Sequence, residues 1–99
     1  MQALDINMDQ RKLVLYLEAS FAAYDATLAP PRDVVLAGLS AIWPSDYWAG
    51  LAIGWLEEGA PIDSEIAQVL DAMVKGPFSQ SVRHRAFALA RRWHQAHNV

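Results

Sequence analysis

Four stops cut this chain into lengths that suit helices and not strands. Pro30-Pro31, Pro44, Gly59-Ala60-Pro61 and Gly76-Pro77 stand between segments of a dozen residues or more. No segment alternates apolar and polar residues with the period of two that a half-buried strand needs. Apolar residues recur at helical spacing instead, as in Leu13, Leu17, Phe21, Tyr24 and Leu28. The pattern predicts five helices. The first runs from Asp9 as N-cap to about Leu28, after a loose lead-in over residues 1–8. The second covers Pro31 to Trp43, and the third, capped by Ser45, covers Asp46 to Glu58. The fourth runs from Asp63 or Ser64 to Lys75. Ser79 caps the fifth, which reaches about Ala96.

Turns this short make neighbouring helices antiparallel. Ninety-nine residues form one domain, 1–99, with a single core. The expected fold is therefore all-α, a compact bundle of about five helices. Hydrophobic residues at 54% against 19% charged exclude a disordered chain. The absence of cysteine excludes a disulfide scaffold, a thiolate metal site and a cysteine nucleophile. The N-terminus does not read as an export signal. The weakly charged stretch from Val34 to Leu56 is interrupted at Pro44-Ser45-Asp46, so each half is too short to span a membrane. The expected setting is the cytoplasm, with no membrane contact.

A weak internal repeat relates the second and third helices to the fourth and fifth. Pro44 falls on Pro77, and Leu51-Ala-Ile-Gly54 falls on Phe87-Ala-Leu-Ala90. These units resemble HEAT-type helical hairpins, and Gln80-Ser-Val-Arg-His-Arg-Ala86 is similar to the opening of a HEAT helix. The resemblance covers residues 31–96. It implies two repeat-like hairpins with the first helix as a cap, and a protein-binding scaffold in place of an enzyme. The Ala-, Leu- and Arg-rich composition is of bacterial type.

Trp43, Trp48 and Trp55 crowd around one turn, and Trp93 lies in the last helix. Rings of this size are core material first and interface anchors second. Gly50 and Gly54, four apart, predict a tight helix crossing.

The charge is divided unevenly along the chain. Residues 1–75 hold all eleven acids against Arg11, Lys12, Arg32 and Lys75, while residues 76–99 hold Arg83, Arg85, Arg91, Arg92 and all three histidines without an acid. At 100° per residue, Val82, Ala86, Leu89, Ala90 and Trp93 make an apolar arc, and His84, Arg85, Arg91, Arg92 and Gln95 lie roughly opposite. Phe87 falls outside the apolar arc, with Arg83, Arg91 and His94 beside it. Arg83 and Arg85 stand in the first turns, where the helix dipole disfavours cations, and Glu57 and Glu58 end the third helix, where it disfavours anions. Parallel third and fifth helices would place Glu57 and Glu58 beside Arg91 to His94, and internal ion pairs would then offset the mismatch.

The alternative to internal pairing is a contact surface of Arg83, His84, Phe87, Arg91 and His94. The expected function is a non-enzymatic protein–protein interaction module (an adaptor, regulator or neutralising partner) whose partner is acidic, with homodimerisation as a second expectation. The competing reading is a nucleic-acid-associated regulator that binds phosphates through the same helix. Four arginines are thin for that role, and the third helix, with two glutamates and no base, is unsuited to reading DNA.

No catalytic residue, metal site or cofactor is expected. His94 and His97 are a poor ligand pair in a fraying C-terminus. His84 lacks a preset nucleophile and acid, and Glu57-Glu58 diverge by about 100° on a helix. There is no Gly-rich phosphate loop.

Overall fold

The fold was obtained as a computed structural model, which describes residues 10–97. The expected lead-in over 1–8 and the Asp9 cap lie outside the described residues. Five α-helices are present, with no strand among the described residues. They are α1 (10–15), α2 (Pro31–Leu39), α3 (Tyr47–Glu57), α4 (Ser64–Met73) and α5 (Gln80–His97), with 3-10 turns at Tyr16–Glu18 and Phe21–Ala23.

Most helix ends follow the local chemistry. Pro31 opens α2 at its first turn, where its missing N–H costs nothing. Gly59 closes α3 with φ of 115°, a backbone that L side chains rarely adopt. The Asp63 carboxylate accepts from Ile66 N at 2.9 Å to start α4, and Ser79 Oγ accepts from Val82 N at 3.3 Å to start α5. At α3 the N-cap is Asp46, one residue past the expected Ser45, and its carboxylate is used elsewhere, accepting from Ser79 N at 2.6 Å.

Two expected helices are shorter. The first was expected to reach Leu28, but its α-helical part ends at 15. The Trp55 indole donates to Ala19 O at 2.9 Å, and Ser20 Oγ accepts from Ala23 N at 3.3 Å. These bonds compete with a continuous ladder through 19–23, and they let Phe21 and Tyr24 fold onto Trp55 at ring-centroid distances of 5.5 and 4.8 Å. The second helix was expected to reach Trp43, but it ends at Leu39. There the Trp43 indole takes Ala37 O at 2.8 Å, the carbonyl that the Ala41 N–H would need for another turn.

α2 and α3 form one hairpin, and α4 and α5 form another. Like helices lie side by side, α2 on α4 and α3 on α5, with the 10–23 segment against α2 and α3. Both like pairs run parallel, since their starts are joined. Arg32 of α2 binds Asp63 and Glu65 at the start of α4, and Asp46 binds Ser79 across the starts of α3 and α5. The buried positions match as Ala49 with Ala86, Ala52 with Leu89 and Ile53 with Ala90, one place later than the sequence alignment. The core between the hairpins is apolar throughout, and Trp55, Ile53, Ile66, Leu70, Val34 and Val35 lie at its centre.

The close helix approach falls at another glycine than expected. A Cβ on Gly38 would stand 2.9 Å from the Ala52 Cβ and 2.5 Å from Leu17 Cδ1, whereas nothing lies within 4 Å of one on Gly50. Along α3 lies the Arg85 side chain, whose Nη2 would make only an ordinary contact, at 3.8 Å, with a Cβ on Gly54.

Candidate functional site

α5 is 18 residues long, about 27 Å at the α-helical rise. Val82, Ala86, Leu89 and Ala90 bury one face of it against α3 and α4. The two flanks of that face carry ion pairs. Toward α3, Arg85 Nε and Nη2 donate to the two Glu57 carboxylate oxygens at 3.1 and 2.8 Å, and Nη2 also reaches Gly50 O at 3.4 Å. This two-pronged bond to Glu57 raises the Arg85 pKa above its ordinary value, against the opposing effect of partial desolvation. Toward α4, His94 Nε2 lies 2.9 Å from Asp71 Oδ2.

These pairs correct two sequence expectations. Glu57 meets Arg85, and neither Glu57 nor Glu58 is paired with Arg91 to His94 among the described residues. Glu57 stands at the C-terminal end of α3, and the Arg85 side chain lies along that helix, past Gly50 O, to reach it. His97 is not a loose C-terminal side chain. Its ring stacks on Trp93 at 4.2 Å and 17°, and its Nδ1 lies 2.9 Å from Trp93 O.

The face turned away from the bundle holds His84, Phe87, Ala88, Arg91, Arg92 and Gln95, all exposed. Phe87 is 52% exposed, a large apolar ring among cations. Among the described residues Arg91 and Arg92 have no carboxylate partner, whereas Arg32 is held by Asp33, Asp63 and Glu65. Arg83 sits on the α4 side of this face, in a shallow notch lined by Val74, Gln80, His84 and Phe87. Its Nε is buried with no hydrogen-bond partner.

The structure thus gathers Arg83, His84, Phe87 and Arg91 on one surface. His94 borders it but is engaged with Asp71. Arg92 and Gln95 extend the surface, and the helical projection already carried them on the polar arc. Val74 and Gln80 were not picked out. Gln80 was legible one turn ahead of Arg83, but Val74 joins only through the α4–α5 turn, which leaves no periodic signal.

The tryptophans go mainly to joints. Trp55 is 1% exposed, and the indoles of Trp43, Trp55 and Trp93 donate to Ala37 O, Ala19 O and Ile62 O. Among the described residues no group of three or more His, Asp or Glu side chains could hold a metal ion, and no helix is long and apolar enough to cross a membrane. In comparisons with protein-family models, curated proteins and solved structures, nothing matches this chain.

Proposed function

We propose that this chain is a protein-binding module that presents the outer face of α5 to an acidic protein partner. The observation that carries this reading is the exposed Phe87 ring beside arginines that no carboxylate of the described chain neutralises. An exposed aromatic among unpaired guanidinium groups has the make-up of an interface hot spot. A long polyanion fits less well. Glu57 and Asp71 border the face on its two sides and would repel a phosphate chain. Two copies of the chain meeting symmetrically through α5 would set Arg91 and Arg92 against their own kind, which disfavours self-association here.

The stacking of like helices supports reading the two hairpins as HEAT-like repeat units with the 10–23 segment as a cap. On this reading the chain is a non-enzymatic adaptor, regulator or neutralising partner acting in the cytoplasm.

The test is a capture experiment from a lysate of the source organism with wild type, Phe87→Ala and Arg91→Ala/Arg92→Ala side by side, at low and high salt. A discrete protein held by wild type and lost by Phe87→Ala, with the variant's helicity intact, is the expected result. Nucleic acid captured at low salt and indifferent to Phe87 would overturn the reading, and so would partner binding that neither variant reduces.

A further inference from the structure

We infer that Arg83 is the anchor of this face, taking a carboxylate of the partner segment next to an apolar side chain that rests on Phe87. The inference builds on the reading above and narrows the partner's chemistry.

Three observations single out Arg83 from the other cations of α5. The first is its unmade bond. Arg85 and His94 are satisfied by Glu57 and Asp71, but where Arg83 lies against the end of α4 the neighbouring side chain is Val74, and the Arg83 Nε is buried without an acceptor. A buried donor left unpaired is among the costlier defects a fold carries, so the side chain gains by turning outward to an acceptor. The second is its place in the first turn of α5, where the helix dipole disfavours a cation. The turn itself has no acidic residue, and the carboxylate that reaches the helix start, Asp46, is bound to Ser79 N. The third is the notch itself, which sets Arg83 and His84 beside the exposed Phe87 ring. Lys75 of the α4–α5 turn is exposed as well and adds to the local positive potential.

The acceptor that suits a guanidinium fork is planar, and a carboxylate can take two of its N–H groups at once. Phe87 asks for an apolar neighbour on the same ligand. A protein segment with Glu or Asp adjacent to Leu or Phe supplies both.

The experiment uses the full chain labelled with 15N and follows the arginine Nε–Hε resonances. The probe is a capped peptide, acetyl-Leu-Glu-Glu-Phe-Leu-amide, with its Glu-to-Gln counterpart and a short DNA duplex as the other arms. The expected result is a saturable movement of the Arg83 resonance with the acidic peptide. The Gln peptide, Arg83→Lys and Phe87→Ala should each weaken binding by about tenfold or more. Arg83→Lys keeps the charge and removes the Nε donor, so it separates a directed bond from general attraction. The inference is overturned if the Gln peptide moves the Arg83 resonance equally, if only Arg91 and Arg92 respond, if nothing saturates, or if the duplex acts at lower concentration than the peptide. In the capture experiment above, a partner lost by Phe87→Ala but kept by Arg83→Lys would sink the anchor and leave the interaction face standing. A partner kept by both would sink the face too.

Discussion

α3 and α5 are the second helices of their hairpins, lie parallel and touch, yet their sequences have little in common. Tyr47–Glu57 carries one charged side chain, Glu57, whereas Gln80–His97 carries four arginines and three histidines. The difference follows from what covers them. α3 is enclosed by α2, by α5 and by the 10–23 segment, whose Phe21 and Tyr24 close over Trp55. α5 is covered by α3 and α4 and by the turn at Ile62, which Trp93 binds, and its far side is exposed. The one charge of α3 is spent on Arg85, while Arg91 and Arg92 of α5 have no such partner among the described residues. A covered helix loses its charges to packing, and an uncovered one keeps them free for something outside the chain.

The largest test of this contrast compares aromatic truncations. Trp55→Ala should cost about 3–5 kcal/mol in urea unfolding, and Phe87→Ala should stay within about 0.5 kcal/mol. A Phe87 cost near that of Trp55 would mean that α5 is covered after all. Next come the glycines. Gly38→Ala forces a Cβ to 2.9 Å from Ala52 and should destabilise by about 1–3 kcal/mol. Gly50→Ala meets open space and should stabilise by about 0.5–1 kcal/mol. Equal effects would erase the distinction between the tight crossing at Gly38 and the open space at Gly50.

At the start of α4, Asp63→Ala should cost about 1 kcal/mol through loss of the cap on Ile66. The Ile66 N–H, and after it Arg32, hold the Asp63 carboxyl below its ordinary pKa. Its contribution is therefore complete above the ordinary carboxylate range and falls away as pH drops through the lowered folded value. Unfolding midpoints measured down the acid limb should accordingly fall less steeply in Asp63→Asn than in wild type. The smallest effect belongs to Glu57→Gln. The pair with Arg85 is exposed by 42% and 36%, so its loss should cost about 0.5 kcal/mol and vanish in high salt.

Local chemistry carried much of this structure. The stops at Pro30-Pro31, Gly59 and Gly76-Pro77, the caps Asp63 and Ser79, the buried arc of α5 and the outward Phe87 are all set by residues within a turn or two of each other. The misplaced features depend on partners far along the chain. Trp55 interrupts the first helix from 36 positions away, and Arg85 finds Glu57 from 28 positions away. Periodicity has no means of registering such bonds. Gly50 and Gly54 carried the spacing of a crossing, but Ala52 turned the neighbouring face to Gly38. The unpaired Nε of Arg83 was invisible for the same reason, since it depends on Val74 standing where an acid could have been.

The indole bonds of Trp43, Trp55 and Trp93 give each joint of the molecule its own clock. An indole proton exchanges with solvent deuterium only when its bond opens. Trp55, whose indole is bonded to Ala19 O, exchanges when the 10–23 segment lifts from the core. Trp93 exchanges when α5 lifts from the turn at Ile62, and Trp43 when the α2–α3 corner loosens. Three resonances in one spectrum therefore time the opening of the cap, the hairpin corner and the seat of the interaction helix separately. A partner clamped on α5 should slow the Trp93 clock most.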